Sequence, residues 1–316
     1  MFFLRWRTKQ LRENQRKLEA IIAERTQEIT SQKEMLEEKN KEVTDSIFYS
    51  RRIQRSILPA KEKVAKLIEK YFIFFRPKDI VSGDFYWADR SLDKSKTFFA
   101  VADCTGHGVP GAMVSLIGVR ALTSALRESG ITVASEILDN VNESVIETFT
   151  DHSTNTIIKD GMDIALCSLD YSDKNDIHFQ YAGAHNSVWV VRKEFDENIL
   201  MDGELYEPNL VYAGYKLFEI KADKQPIGYF DGRKAFSNHS GLLKKGDRIY
   251  LYSDGFADQF GGEKGKKFKY KTLKELILSA QEHDVAEQYA IIRNAFYDWK
   301  REFEQIDDVC LMGVEV

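Results

Sequence analysis

The spacing of apolar positions along the chain changes character at residue 59. Residues 10–57 contain no Gly or Pro and are dense in Glu, Lys, Arg and Gln, and Ile22, Ile29, Leu36 and Val43 recur at every seventh position. This predicts a long exposed helix with a coiled-coil seam. Leu18 fits the partner position of the heptad, but Arg25, Gln32 and Lys39 follow it there. The seam therefore has one apolar edge and one polar edge, predicting a parallel homodimer of weakly fixed register; a solvated single helix is the competing reading. Ile53, Ile57 and Leu58 widen the apolar face just before Pro59, which ends the helix.

Beyond that point the period shortens. Apolar or alternating runs predict strands at 71–75, 84–88, 98–103, 163–169, 177–181, 187–191, 216–220, 234–237, 247–253 and 308–316. A helix is predicted over 112–126, and a second, capped by Thr132, from Ile137, Val141, Val145 and Phe149 at every fourth residue. Residues 194–214 read as a loop or hairpin excursion. Two late helices follow, the second with a capping box at Asp284 and Glu287 and apolar positions from Val285 to Phe303. Many antiparallel strands between an early and a late helix pair predict an α+β fold. The expected organisation is a helical linker over 1–58 and a two-sheet sandwich, covered by helices on both faces, over 59–316.

Composition excludes several classes. With 316 residues, 43% apolar and 12% aromatic, the chain can bury one large core and carry an extra element. A net charge of −5 leaves no electrostatic footprint for a nucleic-acid partner. Cys104, Cys167 and Cys310 lack zinc-ligand spacing and read as reduced thiols of a cytoplasmic protein. No uninterrupted apolar run reaches the length of a membrane span. The opening Met1-Phe2-Phe3-Leu4-Arg5-Trp6-Arg7 nevertheless resembles the cytoplasmic end of one, which would make the chain the cytosolic portion of a membrane-anchored receptor; a frayed start reads equally well.

The chemistry concentrates after residue 80. Gly106, Gly108 and Gly111 spell G-x-G-x-x-G between a strand and a helix. A dinucleotide site needs a second strand after that helix, and here a second helix follows, so the glycines read as a tight turn. Four acidic positions share one context, at the end of a predicted strand beside glycine or a second acid: Asp84, Asp103, Asp254 and Asp307. Singly, each reads as a turn or cap residue. Brought together they would repel one another unless a cation joined them, and oxygen donors without His or Cys select Mg²⁺ or Mn²⁺ over zinc. Two such ions would lower the pKa of a bridging water and clamp an in-line phosphoryl displacement.

Six motifs occur in order: Ile53-Gln54-Arg55-Ser56-Ile57-Leu58-Pro59, Val81-Ser82-Gly83-Asp84-Phe85-Tyr86, Ala102-Asp103-Cys104-Thr105-Gly106-His107-Gly108, Ala182-Gly183-Ala184-His185-Asn186, Tyr252-Ser253-Asp254-Gly255 and Asp307-Asp308-Val309. Together they resemble the PPM-type metal-dependent serine/threonine protein phosphatases, in the SpoIIE-like bacterial branch, from about Ile53 to the C-terminus. The resemblance implies a four-layer α-β-β-α sandwich with metals at one edge of the sheets. It implies that Asp103, Asp254 and Asp307 hold two ions with the carbonyl of Cys104, and that Asp84 binds directly or through water. Asp163 and Asp258 become candidates for a third, weaker ion, structural roles being equally compatible. Metal-bound hydroxide would attack the phosphorus without a covalent phosphoenzyme.

The resemblance also implies a phosphorylated protein substrate, such as an antagonist of an anti-sigma factor, and an upstream sensor region. Thr105 stands where animal members carry a histidine; His107 reads better as a turn residue than as a general acid. No counterpart of the animal enzymes' phosphate-gripping arginine is evident; Arg76 and Lys78 are the candidates. Two rivals remain: a catalytically weak or inactive metal-binding signalling scaffold of the same fold, and a nucleotide cyclase echoed by Ser82-Gly83-Asp84-Phe85. The acids later in the chain argue against the second.

Overall fold

The computed structural model describes residues 1–151, 153, 154, 156–172 and 177–316. The chain divides into two compact units, Met1–Tyr49 and Ser50–Val316. The first is most of one continuous helix, α1 (Phe2–Ile57), which begins earlier than the heptads predict. Leu18, Ile22, Ile29, Leu36 and Val43 are all exposed on it. Its polar positions are tied locally, Arg25 to Glu28 at 2.6 Å and Lys39 to Glu42 at 2.7 Å.

The last turns of α1 fall in the second unit, so the division lies before residue 58. There Gln54 is buried at 4% exposure. A one-turn helix, α2 (Lys61–Ala65), follows Pro59. The long strands come next: β1 (Lys70–Arg76), β2 (Phe85–Arg90), β3 (Lys96–Cys104), β4 (Gly161–Asp170), β5 (Ile177–Ala184), β6 (Val188–Lys193), β7 (Tyr215–Ile220), β8 (His239–Leu243), β9 (Arg248–Tyr252) and β10 (Val309–Glu315). Helices α3 (Gly108–Arg127) and α4 (Ala134–Thr148) lie between β3 and β4. Three more, α5 (Gly255–Asp258), α6 (Tyr270–Ser279) and α7 (Val285–Lys300), separate β9 from β10.

Two antiparallel sheets result. One runs β1-β10-β9-β6-β7 and ends in the short strand Leu210–Tyr212; the other runs β2-β3-β4-β5-β8 and ends in the short strands Leu200–Met201 and Glu204–Leu205. Side-chain alternation sorts the core into three layers. On β3, Phe98, Ala100 and Ala102 pack with Leu122, Ile137 and Val141 of α3 and α4. The intervening Phe99 and Val101 meet Val190, Phe218, Leu251 and Met312 of the other sheet. That sheet's far face, with Phe72, Phe74, Trp189 and Tyr250, is covered by Leu273, Ile277, Ile292 and Phe296 of α6 and α7. Both faces of both sheets are covered, which explains why the strands read as nearly continuous apolar runs rather than as clean alternation.

The structure differs from the sequence reading in several places. The strand expected at 234–237 lies at His239–Leu243, paired with β5. The N-cap of α4 is Val133, not Thr132, and its side chain makes no cap. Asp284 does cap α7, accepting from the N–H groups of Ala286 and Glu287, but Glu287 turns to His283 instead of closing the box. The 194–214 excursion holds three short strands. Among the described residues, α3 is long and apolar enough to cross a membrane by length and composition alone, although more than half of that stretch is buried. Its apolar face packs on the sheet, as in a core helix.

Candidate metal centre

The sheets bring distant carboxylates to one edge. Strand β3 carries Asp103 next to its end, and β4 runs antiparallel beside it with Asp163 directly across from Asp103. In the other sheet β9 and β10 are antiparallel neighbours, Tyr252 opposite Leu311. Asp254 follows the end of β9 and Asp307 precedes the start of β10, so both stand at the same end of that pair. Asp103, Asp163, Asp254 and Asp307 share the wall of a cavity of about 280 Å³ with Cys104 and Thr105. No Arg or Lys is among its lining residues.

Close backbone contacts hold the loops around this cavity. A Cβ on Gly83 would lie 2.6 Å from the Gly106 carbonyl oxygen, and one on Gly111 only 2.2 Å from it. Two of the glycines in the G-x-G-x-x-G run thus serve a three-way packing of loop and helix. The run is no dinucleotide fingerprint, because β4 pairs antiparallel with β3 instead of returning parallel. Gly255 has no room for a side chain either, since its Cβ would meet the Asp308 carbonyl oxygen at 2.0 Å.

Asp84 lies behind the wall at 2% exposure. It accepts a hydrogen bond from the Ser253 hydroxyl. Asp103 is within hydrogen-bonding reach of the carboxyls of both Asp84 and Asp254. Burial, and then the charges of Asp254, Asp307 and Asp163, push the Asp103 pKa up to about 8. Asp84 is raised well above the carboxylate range, first by burial and then by Asp103. Asp254 is raised by burial and by Asp307. Such crowding of acids, opposed only by Lys267 near Asp254 and by His185 on Asp163, is the electrostatic signature of a site that takes a cation.

The donor set fits hard divalent ions, being mainly carboxylate oxygens with a carbonyl at Cys104; His107 on the wall turns its Nδ1 to Asp79, and burial raises the Cys104 thiol pKa. Among the described residues no three His, Cys, Asp or Glu side chains already close into one coordination sphere. Mg²⁺, which keeps several waters and needs only one or two carboxylates, does not require such a cage.

The remaining candidates sort by position. Asp163 faces the cavity and is held by His185 Nδ1 at 2.9 Å; burial raises its pKa against the pull of that histidine. Asp258 does not line the cavity and pairs with Lys267 at 2.7 Å. Thr105 is pinned to Gly161 through its N–H at 2.9 Å. His107 lines the cavity, its Nδ1 3.0 Å from Asp79. Arg76 lies in a separate groove, and Lys78 contributes its backbone N–H to Asp308, so neither stands on the cavity wall.

Three supporting residues escaped sequence reasoning. Asp308, adjacent to Asp307, is buried and accepts N–H groups from Lys78 at 2.8 Å and Gly83 at 2.7 Å, fixing the turn before Asp84. Ser253 both supports Asp84 and accepts from the Cys310 N–H at 2.9 Å. Gln54 donates to the Ser82 carbonyl at 2.6 Å, donates to Ser115 Oγ at 3.0 Å and accepts the Ser82 N–H at 3.2 Å. A glutamine among exposed polar residues gives no sequence signal. Only its place in the first of the motifs quoted above, between Ile53 and Arg55, could have drawn notice.

Residues 93–316 match the sequence profile of the Stage II sporulation protein E (SpoIIE) family. No protein of curated function matches the chain in sequence. Among solved structures it is similar to the SiaA-PP2C domain of Pseudomonas aeruginosa, at 26% identity and a TM-score of 0.69, covering 88% of this chain and 97% of that one. It is also similar to the PP2C phosphatase domain of SpoIIE from Bacillus subtilis, solved with a fragment of its regulatory domain. There the identity is 18% and the TM-score 0.56, over 78% of this chain and 63% of that one. The RsbU and RsbW domains of Rv1364c from Mycobacterium tuberculosis match at 18% identity and a TM-score of 0.55, over 78% and 59%.

Proposed function

The chain belongs to the SpoIIE family and is a metal-dependent protein serine/threonine phosphatase of the PP2C type, and from that premise we propose how its residues divide the work. Asp103, Asp254 and Asp307, with the Cys104 carbonyl, hold two divalent cations, Mn²⁺ or Mg²⁺. When bound, these supply the activated water and the positive charge that phosphoryl displacement needs. The observation that carries the assignment is one cavity lined by four carboxylates and no Arg or Lys.

The other residues position that set. Asp84, gripped by Ser253, orients Asp103 from behind. Asp308 ties the 78–83 loop to the strand start next to Asp307. Asp163, opposite Asp103 and restrained by His185, is the candidate for a further, weaker ion. Asp258, paired with Lys267, takes a structural part. The substrate is a phosphoserine or phosphothreonine of a partner protein, such as an antagonist of an anti-sigma factor.

Regulation enters through α1. Gln54 bonds the Ser82 backbone in both directions, so a rotation of the helix end would pull directly on the turn before Asp84. Pairing of the exposed Ile22, Ile29, Leu36 and Val43 with a second copy would set that rotation. Phosphate release from a phosphoserine peptide tests the reading. It should need Mn²⁺ or Mg²⁺, stop with chelator and vanish in Asp254→Asn. Equal turnover in excess chelator would refute the metal assignment, and retained turnover by Asp254→Asn would refute its placement. A protein that binds Mn²⁺ but releases no phosphate from any phosphoserine or phosphothreonine peptide would favour the scaffold reading.

A further inference from the structure

A second cavity in the same unit, of about 460 Å³, has the opposite electrical character. Arg51 and Arg55 stand one turn apart at the end of α1, Lys61 opens α2, and Arg76 closes β1; all four line this cavity and no Asp or Glu does. Among the described residues none of these four cationic groups is in an ion pair. Elsewhere in the same unit, cations are spent on acids: Lys63 and Arg127 both grip buried Asp89, at 3.1 and 2.7 Å. Four unpaired cations around one hollow, in a chain of net charge −5, repel one another and attract an anion.

Apart from Gln54 and two tyrosine hydroxyls, the rest of the lining is apolar. Phe75 and Tyr86 stand edge to face with centroids 5.6 Å apart, and Tyr289, whose ring packs on Phe72 and Phe74, also lines the groove. The volume lies within the roughly 300–1,000 Å³ range of small-molecule pockets. An aromatic wall beside several guanidinium groups suits a molecule with a flat ring and more than one negative charge, because aromatic faces stack on rings and guanidinium forks pair with phosphate oxygens.

We propose that this groove is a nucleotide-binding site, the phosphates held by Arg51, Arg55, Lys61 and Arg76 and the base set against Phe75 and Tyr86. It is separate from the carboxylate cavity, and the proposal does not depend on the phosphatase assignment. A nucleotide here would also touch Gln54, which lines the groove.

Calorimetric titration of the full chain in chelator, with purine mono-, di- and triphosphates, cyclic dinucleotides and pyrophosphate as probes, decides the matter. The expected result is saturable 1:1 binding of at least one nucleotide. That binding should weaken at least about tenfold in the double variant Arg55→Glu/Arg76→Glu and stay unchanged in Asp254→Asn. Arg55 and Arg76 are exposed, so the double variant should keep the wild-type unfolding midpoint. If the double variant unfolds early, Arg55→Gln/Arg76→Gln takes its place. Absence of saturable binding by every probe overturns the proposal, as does nucleotide binding that survives the charge changes. Pyrophosphate binding as tightly as any nucleotide would overturn the role of the aromatic wall and reduce the groove to a simple anion trap.

Discussion

Replacing Asp103 by Asn should make the metal-free protein more stable at pH 8 and change little at pH 5. The Asp103 pKa stands at about 8 in the folded state, against 3.8 for the unperturbed group, with burial as the first cause and the charges of Asp254, Asp307 and Asp163 next. The folded protein therefore holds a proton that the unfolded chain releases from about pH 4 upward. Stability is fully present below that value and is lost as pH rises to about 8. Four units at 1.36 kcal/mol each set a ceiling of about 6 kcal/mol. Protons redistribute over Asp84 and Asp254 when Asp103 ionises, and the cavity admits water, so about 2–3 kcal/mol is the expected change. For a domain of this size that is about 5 °C in unfolding midpoint.

The assay is urea and thermal unfolding of both proteins in chelator at several pH values, read as the difference between them. Asp103→Asn should gain on wild type by about 2–3 kcal/mol between pH 5 and pH 8. Mn²⁺ should reverse the order by stabilising wild type selectively. A difference that stays flat within about 0.5 kcal/mol across that window would refute the crowding of carboxylates and with it the argument that the cavity calls for cations.

Three further outcomes follow from other parts of the molecule. Gln54→Leu removes both bonds to the Ser82 backbone and strands its N–H, a loss of about 1–3 kcal/mol, so the Mn²⁺ concentration for half-maximal activity should shift several-fold; titration of activity against Mn²⁺ checks it. Arg192→Met leaves Asp247 buried without its bidentate partner, both groups being under 5% exposed, and should cost about 3–5 kcal/mol in urea unfolding; a loss below about 1 kcal/mol would contradict it. Arg25→Leu with Lys39→Leu extends the apolar seam of α1 and should tighten a dimer seen by sedimentation, whereas deletion of residues 1–42 should leave a monomer. Equal sedimentation and equal metal dependence of the intact and truncated chains would make the helix a passive spacer.

Local pattern by itself determined most of the long elements: the long polar helix, the apolar runs of the strands, the four-residue spacing in α4 and the alternating four- and three-residue spacing in α7 are properties of neighbouring residues, so periodicity reveals them. The candidate acids were visible because each sits beside a turn residue. The strand at His239–Leu243 was misplaced because its half-exposed residues alternate poorly and its pairing partner, β5, lies far away in sequence. Tertiary structure alone decided which acid does what. Asp307 and Asp308 are adjacent and chemically identical, yet the start of β10 turns one to the cavity and the other to the N–H groups of Lys78 and Gly83. Asp163 meets Asp103 only because two strands pair in one register. The same holds for Gln54, and for the basic groove assembled from α1, α2 and β1. These contacts join residues tens to hundreds of positions apart, and a single sequence carries no term for such a distance until the chain has closed on itself.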